Sequence, residues 1–210
     1  MATAPPIAGS DSGHVLRRVS ETIAALIRAA VPELAADDAV SFDSPADLDG
    51  QGRSRLSLFL YHIGIDGPQR NQPATLTLAP GADGHPAGLR TVMAPASVSL
   101  GYMLVPFARS TELELVIADR LVRLFHVVRA LAAPILPADL IDAGNDEIGI
   151  RPTPLSIDAQ RNLWAIFPGR PYKLTLAYTV SPVVIPADHD RSIDMVVQAI
   201  LQQRQMRDAA

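Results

Sequence analysis

The sequence predicts a single-domain α/β protein, of the α+β kind, in which a mixed, largely antiparallel sheet is flanked by helices. Two observations support this fold class. Several segments repeat apolar residues at helical spacing, whereas the segments between them alternate or run continuously apolar, as strands do. A chain of 210 residues can also bury its own core without disulfides, and this one contains no cysteine.

The N-terminal segment predicts a loose tail followed by a helix. Residues 1–12 are rich in proline and alanine and form the expected tail. Residues 10–12 offer serine and aspartate N-caps to a helix that extends to about Val31 and ends at Pro32. The core-facing stripe of this helix consists of Val15, Val19, Ile23, Ile27 and Ala30.

The next part of the chain predicts strands separated by turns. A short strand is expected at 40–42. Residues 56–63 are almost continuously apolar, which is typical of a strand covered on both faces and predicts the central strand. A strand at 74–79, a Gly/Pro-rich surface loop at 80–90 and an alternating strand at 97–104 follow.

The second half opens with the longest predicted helix. Its first turn carries a capping box from Thr111 to Glu114, and its apolar stripe reaches Leu131 before Pro134 stops it. The remaining predicted elements are a strand at 147–150, a brief helix at 156–167, an alternating half-buried strand at 172–180, a short apolar segment at 183–185 and a last helix at about 191–206. The predicted organisation is therefore a tail (1–12), a main domain (13–186) and a C-terminal helix or arm (187–210).

Charge and hydropathy exclude two classes of partner. The net charge is −4, from 18 basic and 22 acidic residues, and no basic run exceeds Arg17-Arg18, so the sequence argues against nucleic-acid binding. No apolar stretch reaches the roughly 18 residues of a membrane span, and no signal-peptide pattern is visible. We expect a cytoplasmic protein.

Known ligand motifs fail on spacing. The single lysine, Lys173, is predicted to enter a strand and does not belong to a phosphate loop, while Gly50 and Gly52 are not followed by the helix that a dinucleotide site requires. The five histidines include no pair at i, i+4, which argues against zinc. The sequence therefore predicts no cofactor and no metal.

Two arrangements could in principle support catalysis. Ser57 and His62 are separated by an odd number of residues, which places them on opposite faces of a strand and argues against a dyad. The acidic cluster around His189, at 188–190, could bind a metal or transfer protons, but its position before the last predicted helix favours N-capping. We therefore expect that the protein is not an enzyme.

The order of several short segments resembles one protein family. These segments are Leu56-Ser-Leu-Phe-Leu-Tyr-His, Arg70-Asn71, Leu100-Gly-Tyr-Met-Leu-Val-Pro-Phe, Leu121-Val-Arg-Leu-Phe-His-Val, Asn162-Leu-Trp164 and the strand region 172–185. In this order they resemble the cap, or tail-terminator, proteins of phage-tail-like contractile injection systems of the antifeeding-prophage and Photorhabdus-virulence-cassette type. The resemblance covers about residues 14–186.

The resemblance implies a structural subunit of a ring, expected to be a homohexamer, that closes the inner tube and anchors the last sheath layer. Its implied partners are copies of itself, the tube protein and the sheath protein. Ring contacts of identical subunits and strand addition at a sheet edge are the expected interactions. The candidate interface residues are Arg70, Asn71, Val183, Val184, Ile185, Ile193 and Val197.

Two other functions remain open at this stage. One is an adaptor or small-molecule-binding module with a pocket around Tyr61, Tyr102 and Trp164, although Trp164 also fits a core anchor. The other is a hydrolase built on residues 188–190.

Overall fold

The described residues of the chain form a six-stranded sheet, a separate three-stranded sheet and four α-helices. The computed structural model describes residues 14–48, 52–67, 73, 75–80, 86–167, 169–187 and 190–193. The helices are α1 (Val15–Ala30), α2 (Thr111–Val127), α3 (Ala138–Asp142) and α4 (Ile157–Trp164), and a short 3-10 turn spans Pro32–Leu34. The strands are β1 (Val40–Ser41), β2 (Arg55–Ile65), β3 (Thr75–Pro80), β4 (Pro86–Val92), β5 (Ala96–Phe107), β6 (Ala130–Ala132), β7 (Glu147–Pro152), β8 (Leu176–Ile185) and β9 (Asp190–Ile193).

The main sheet has the strand order β1-β2-β5-β8-β7-β6. Its pairings are antiparallel except for β1 with β2, which is parallel. The predicted fold class is therefore confirmed. The prediction that residues 56–63 form the central strand is wrong, because β5 and β8 occupy the middle and β2 lies second from one end.

Each face of the main sheet has its own core, because successive side chains of a strand point to opposite faces. Leu100 and Tyr102 of β5 lie in the main core, together with buried residues of α1 and α2. Met103 and Val105 lie in a smaller cluster with Trp164 of α4 and with Phe167. This double coverage explains why the second half of β5, residues 102–107, is apolar at every position.

Both long helices form where the sequence patterns predict them, but the two ends of α2 differ from the prediction. In α1 the predicted stripe is buried from Val15 to Ile27, whereas Ala30, also predicted in it, is exposed, and the helix ends before Pro32. The N-cap of α2 is Ser110 and not Thr111, because the Ser110 hydroxyl accepts a hydrogen bond from the Leu113 N–H at 3.3 Å. This helix also ends earlier than predicted, since Leu131 pairs with Ile148 in the sheet.

The smaller sheet contains two departures from prediction. Residues 86–90, expected in a surface loop, form most of β4, which pairs with β3. Residues 190–193, expected at the start of the last helix, form β9 and pair with the other side of β4. Backbone pairing with β4 overrides the helical spacing of this segment, which is a local signal. The rest of the predicted helix lies outside the described residues.

The strand predicted at 172–180 begins and ends later. It starts at Leu176, so Tyr172 and Leu174 precede it. It continues through Pro182 to Ile185. Pro182 is tolerated because the ladder with β5 is irregular here: Val98 pairs with Val183, while Leu100 pairs with Val180.

Candidate interaction surfaces

Ser57 and His62, the possible catalytic dyad of the sequence analysis, lie on the same face of β2. A bulge after Leu60 shifts the register, so that Ser57 pairs with Val105 and His62 with Gly101, two positions on one face of β5. The prediction of opposite faces is therefore wrong. The two residues are still separated by ~16 Å of strand, and the buried Ser57 hydroxyl donates to the Asp43 carbonyl at 2.8 Å.

The remaining polar candidates have structural environments. Lys173 pairs with the buried Glu114 carboxylate and lies 5.1 Å from the centre of the Phe107 ring. Asp190 opens a strand, so its predicted role as a helix cap is wrong, and residues 188 and 189 lie outside the described part. Within the described ranges no group of three metal-ligating side chains occurs. No helix among those residues is long and apolar enough to span a membrane.

The three aromatic residues proposed to line a pocket do not lie together. Tyr102 is in the main core, where its hydroxyl lies 2.7 Å from the Ser20 hydroxyl and burial raises the pKa of Tyr102 to about 12. Trp164 and Tyr61 lie in the cluster on the opposite face. The Trp164 indole N–H donates to the Thr175 hydroxyl at 2.9 Å, which is consistent with a core anchor.

One stretch of exposed sheet backbone is closed by a side chain. β7 pairs with β8 only as far as Ser181, so Val184 lies beyond the last paired residue. The Asn145 side chain takes the place of a strand there: its amide oxygen accepts from the Val184 N–H at 2.8 Å, and its amide nitrogen donates to the Val184 carbonyl at 2.9 Å. Asn145 is 2% exposed, so this closure is part of the folded core.

Over most of its length, the outer edge of β2 has no paired strand in the part of the chain that the structure describes. β1 pairs only with Leu56 and Ser57, and no other described strand lies on that side of β2. Residues 58–65 therefore form an edge of ~26 Å, at 3.3 Å per residue, that pairs with no described strand. At its far end the side chains of Ile63 and Ile65 are 46% and 64% exposed. We call residues 58–65 the open edge.

A second exposed feature is a groove of about 430 Å³ between the end of α2 and strands β7 and β8. Phe125, Ile150 and Tyr178 are buried and form its apolar floor. Val122, His126, Arg129, Arg151 and Pro152 are exposed and form its rim. We call this feature the α2 groove.

The predicted interface residues are placed as follows. Val183 is fully buried in the main core, whereas Val184 and Ile185 are partly exposed on β8. The backbone of Ile193 pairs with Leu89. Arg70, Asn71 and Val197 lie outside the described residues. The role of all seven in an interface stays a prediction. Sequence reasoning missed Asn145, because a single asparagine in a loop carries no local signal of the strand that it meets.

Among the described residues, the largely antiparallel sheet has one long edge without a paired strand, and several apolar side chains are exposed at the surface. The model of the Pvc16 N-terminal domain family matches residues 18–199, and the chain belongs to this family. The resemblance identified from the sequence is thereby confirmed.

Two solved structures show the same fold. One is the sheath/tube terminator of the extracellular contractile injection system PVC in its extended state, with a TM-score of 0.57, 18% identity and coverage of 100% of this chain and 73% of the other. The second is the tube-terminating cap of the anti-feeding prophage, with a TM-score of 0.56, 20% identity and coverage of 84% of this chain and 56% of the other. No curated protein sequence matches the chain.

Proposed function

We propose that this protein is a structural cap subunit of a contractile injection system, which forms a ring that terminates the inner tube and anchors the last sheath layer. The observation that carries the proposal is the shared fold with the PVC sheath/tube terminator over the whole of this chain. Membership of the Pvc16 N-terminal domain family supports it independently of the structural match.

The proposed role depends on contacts between surfaces. A ring forms when each copy presents one surface to the next copy and receives the corresponding contact from the previous one. Such a ring stops tube growth when one of its faces fits the tube end and the other offers no site for another tube ring. We expect six copies in the ring, with assembly in the cytoplasm before the particle is released.

The open edge supports an attachment to the sheath. Its unpaired N–H and C=O groups can receive one extended segment from a partner, and backbone hydrogen bonds then give affinity without a deep pocket. Ile63 and Ile65 add apolar contact at the end of this edge. We therefore assign the partner strand to the open edge and not to β8, whose exposed backbone is closed by Asn145.

The test is tube termination. Particles are produced with and without the subunit, and the inner tubes are measured by electron microscopy. We expect tubes of irregular, greater length and detached sheath ends without the subunit, and restoration by the wild-type chain. Unchanged tube length and intact sheath ends in its absence would contradict the proposed function.

A further inference from the structure

The α2 groove combines an apolar floor with a cationic rim. Phe125, Ile150 and Tyr178 form the floor, and Val122 on the rim is 47% exposed. Arg129 and Arg151 are exposed, and neither has an ion pair within the described ranges. A ligand that fits this surface needs an aliphatic side chain next to carboxylates.

The chain carries such a surface at the other end of β7. Residues 135–147, which we call the acidic segment, expose Ile135 and Ile141, each at 38%. Its carboxylates Asp142, Asp146 and Glu147 are exposed and make no ion pair in the part of the chain that the structure describes.

The acidic segment is held in a fixed shape. Leu136 and Leu140 are buried, and Asn145 is fixed to Val184 by two hydrogen bonds. Asp139 pairs with Arg18 of α1, which keeps the pKa of Asp139 below its usual range. A surface that is already ordered loses little conformational entropy on binding.

The two surfaces cannot pair within one copy. The acidic segment enters β7 at Glu147, whereas the groove lies around Ile150 to Pro152, at the opposite end of the strand. Other exposed apolar residues lie next to fewer unpaired carboxylates. Ile157, Ile65 and Phe42 are each followed by one aspartate. Leu115 and Val116 of α2 lie near Glu112 and Asp119, but Asp119 pairs with Arg123. A contact between the groove of one copy and the acidic segment of the next is heterologous, which is the type of contact that closes into rings.

We propose that the α2 groove binds the acidic segment of a second copy of this chain and that this contact joins neighbouring subunits of the ring. The inference rests on the proposed function, since it assigns the surfaces of that ring. The isoleucines of the acidic segment lie on the groove floor, and its carboxylates face Arg129 and reach Arg151 around the edge of β7.

The test uses charge reversal in the full chain. The groove variant is R129E/R151E, the segment variant is D142R/D146R, and the control R109E/R161E reverses two exposed arginines elsewhere that also lack an ion pair in the described ranges. Sedimentation measures the mass of the assemblies in solution, and the subunits at tube ends are counted. Circular dichroism checks that each variant folds. The neutral variant R129Q/R151Q replaces the groove variant if that one does not fold.

We expect rings from the wild type and the control, and at least a tenfold loss of self-association in the groove variant and in the segment variant alone. An equal mixture of these two variants regains rings, because each reversed surface then meets a surface of opposite charge. Wild-type-like rings from a groove variant, charged or neutral, overturn this inference and leave the proposed function intact. A wild-type chain that is monomeric and absent from tube ends overturns both.

Discussion

Two stretches of the main sheet lack a paired strand among the described residues, and they differ in whether a side chain takes its place. At Val184, where β7 no longer covers β8, the buried Asn145 side chain supplies both a donor and an acceptor. At the open edge, where β1 no longer covers β2, no described residue replaces the missing strand. An unpaired strand edge is normally a liability, because it can pair with other chains. The contrast supports the proposal that the open edge receives a partner strand, while the edge at Val184 belongs to the stable core.

The largest effect on stability is expected at the closed edge. The substitution N145A removes two hydrogen bonds and leaves the Val184 N–H and C=O groups without partners, which costs about 3 kcal/mol of the free energy of unfolding. Urea denaturation measures this loss. The neighbouring exposed residue provides the control, since D146A is expected to change stability by less than about 0.5 kcal/mol. Equal stability of N145A and D146A would contradict the closure by Asn145.

The centre of the sheet should be sensitive to alkaline pH. Burial raises the pKa of Tyr102 to about 12 from an ordinary value of 10.0, so the unfolded chain releases this proton before the folded chain does. The stabilisation is complete below pH 10 and is lost as pH rises to 12, by about 3 kcal/mol in all. Denaturation of wild type and Y102F between pH 9 and 12 measures the difference.

The Tyr102 prediction tests the buried interior of the sheet and not its edges. Ser20 also donates to the Leu16 carbonyl at 2.9 Å, so its hydroxyl keeps a partner in Y102F and this variant should fold. Parallel pH profiles of wild type and Y102F would mean that water reaches the middle of the sheet.

The smallest effect on stability, combined with a loss of assembly, is expected at the open edge. The double substitution I63K/I65K places two charges on exposed side chains and should change the free energy of unfolding by less than about 0.5 kcal/mol. The same charges oppose the approach of a partner strand, and we expect at least a tenfold loss of sheath attachment in particles. The matched control is I157K/I166K, at two exposed isoleucines outside the open edge, the α2 groove and the acidic segment. Normal sheath attachment by I63K/I65K would remove the open edge from the interface.

The sequence predicts features that depend on local spacing. The buried stripe of α1 follows from the spacing of Val15, Val19, Ile23 and Ile27, and the fold class follows from the alternation of helical and strand patterns. The family follows from the order of short apolar segments, and the match over residues 18–199 confirms it.

Features that depend on distant pairing are not visible in the sequence. An apolar run such as 56–63 indicates coverage of both faces but not the position of the strand in the sheet, which is why β2 was expected at the centre. The helical spacing near Ile193 gives no sign that the backbone pairs with Leu89, about 100 residues earlier. The α2 groove combines α2, β7 and β8, so its floor and rim are brought together only by the fold.

Hydrogen exchange in the free subunit and in assembled particles tests the central claim most directly, with the Val184 amide as an internal reference. The outward-facing amides of residues 58–65 should exchange rapidly in the free subunit and become protected in the particle, whereas the Val184 amide should be protected in both. Protection of residues 58–65 already in the free subunit, or rapid exchange of the same amides in the particle, would contradict the account.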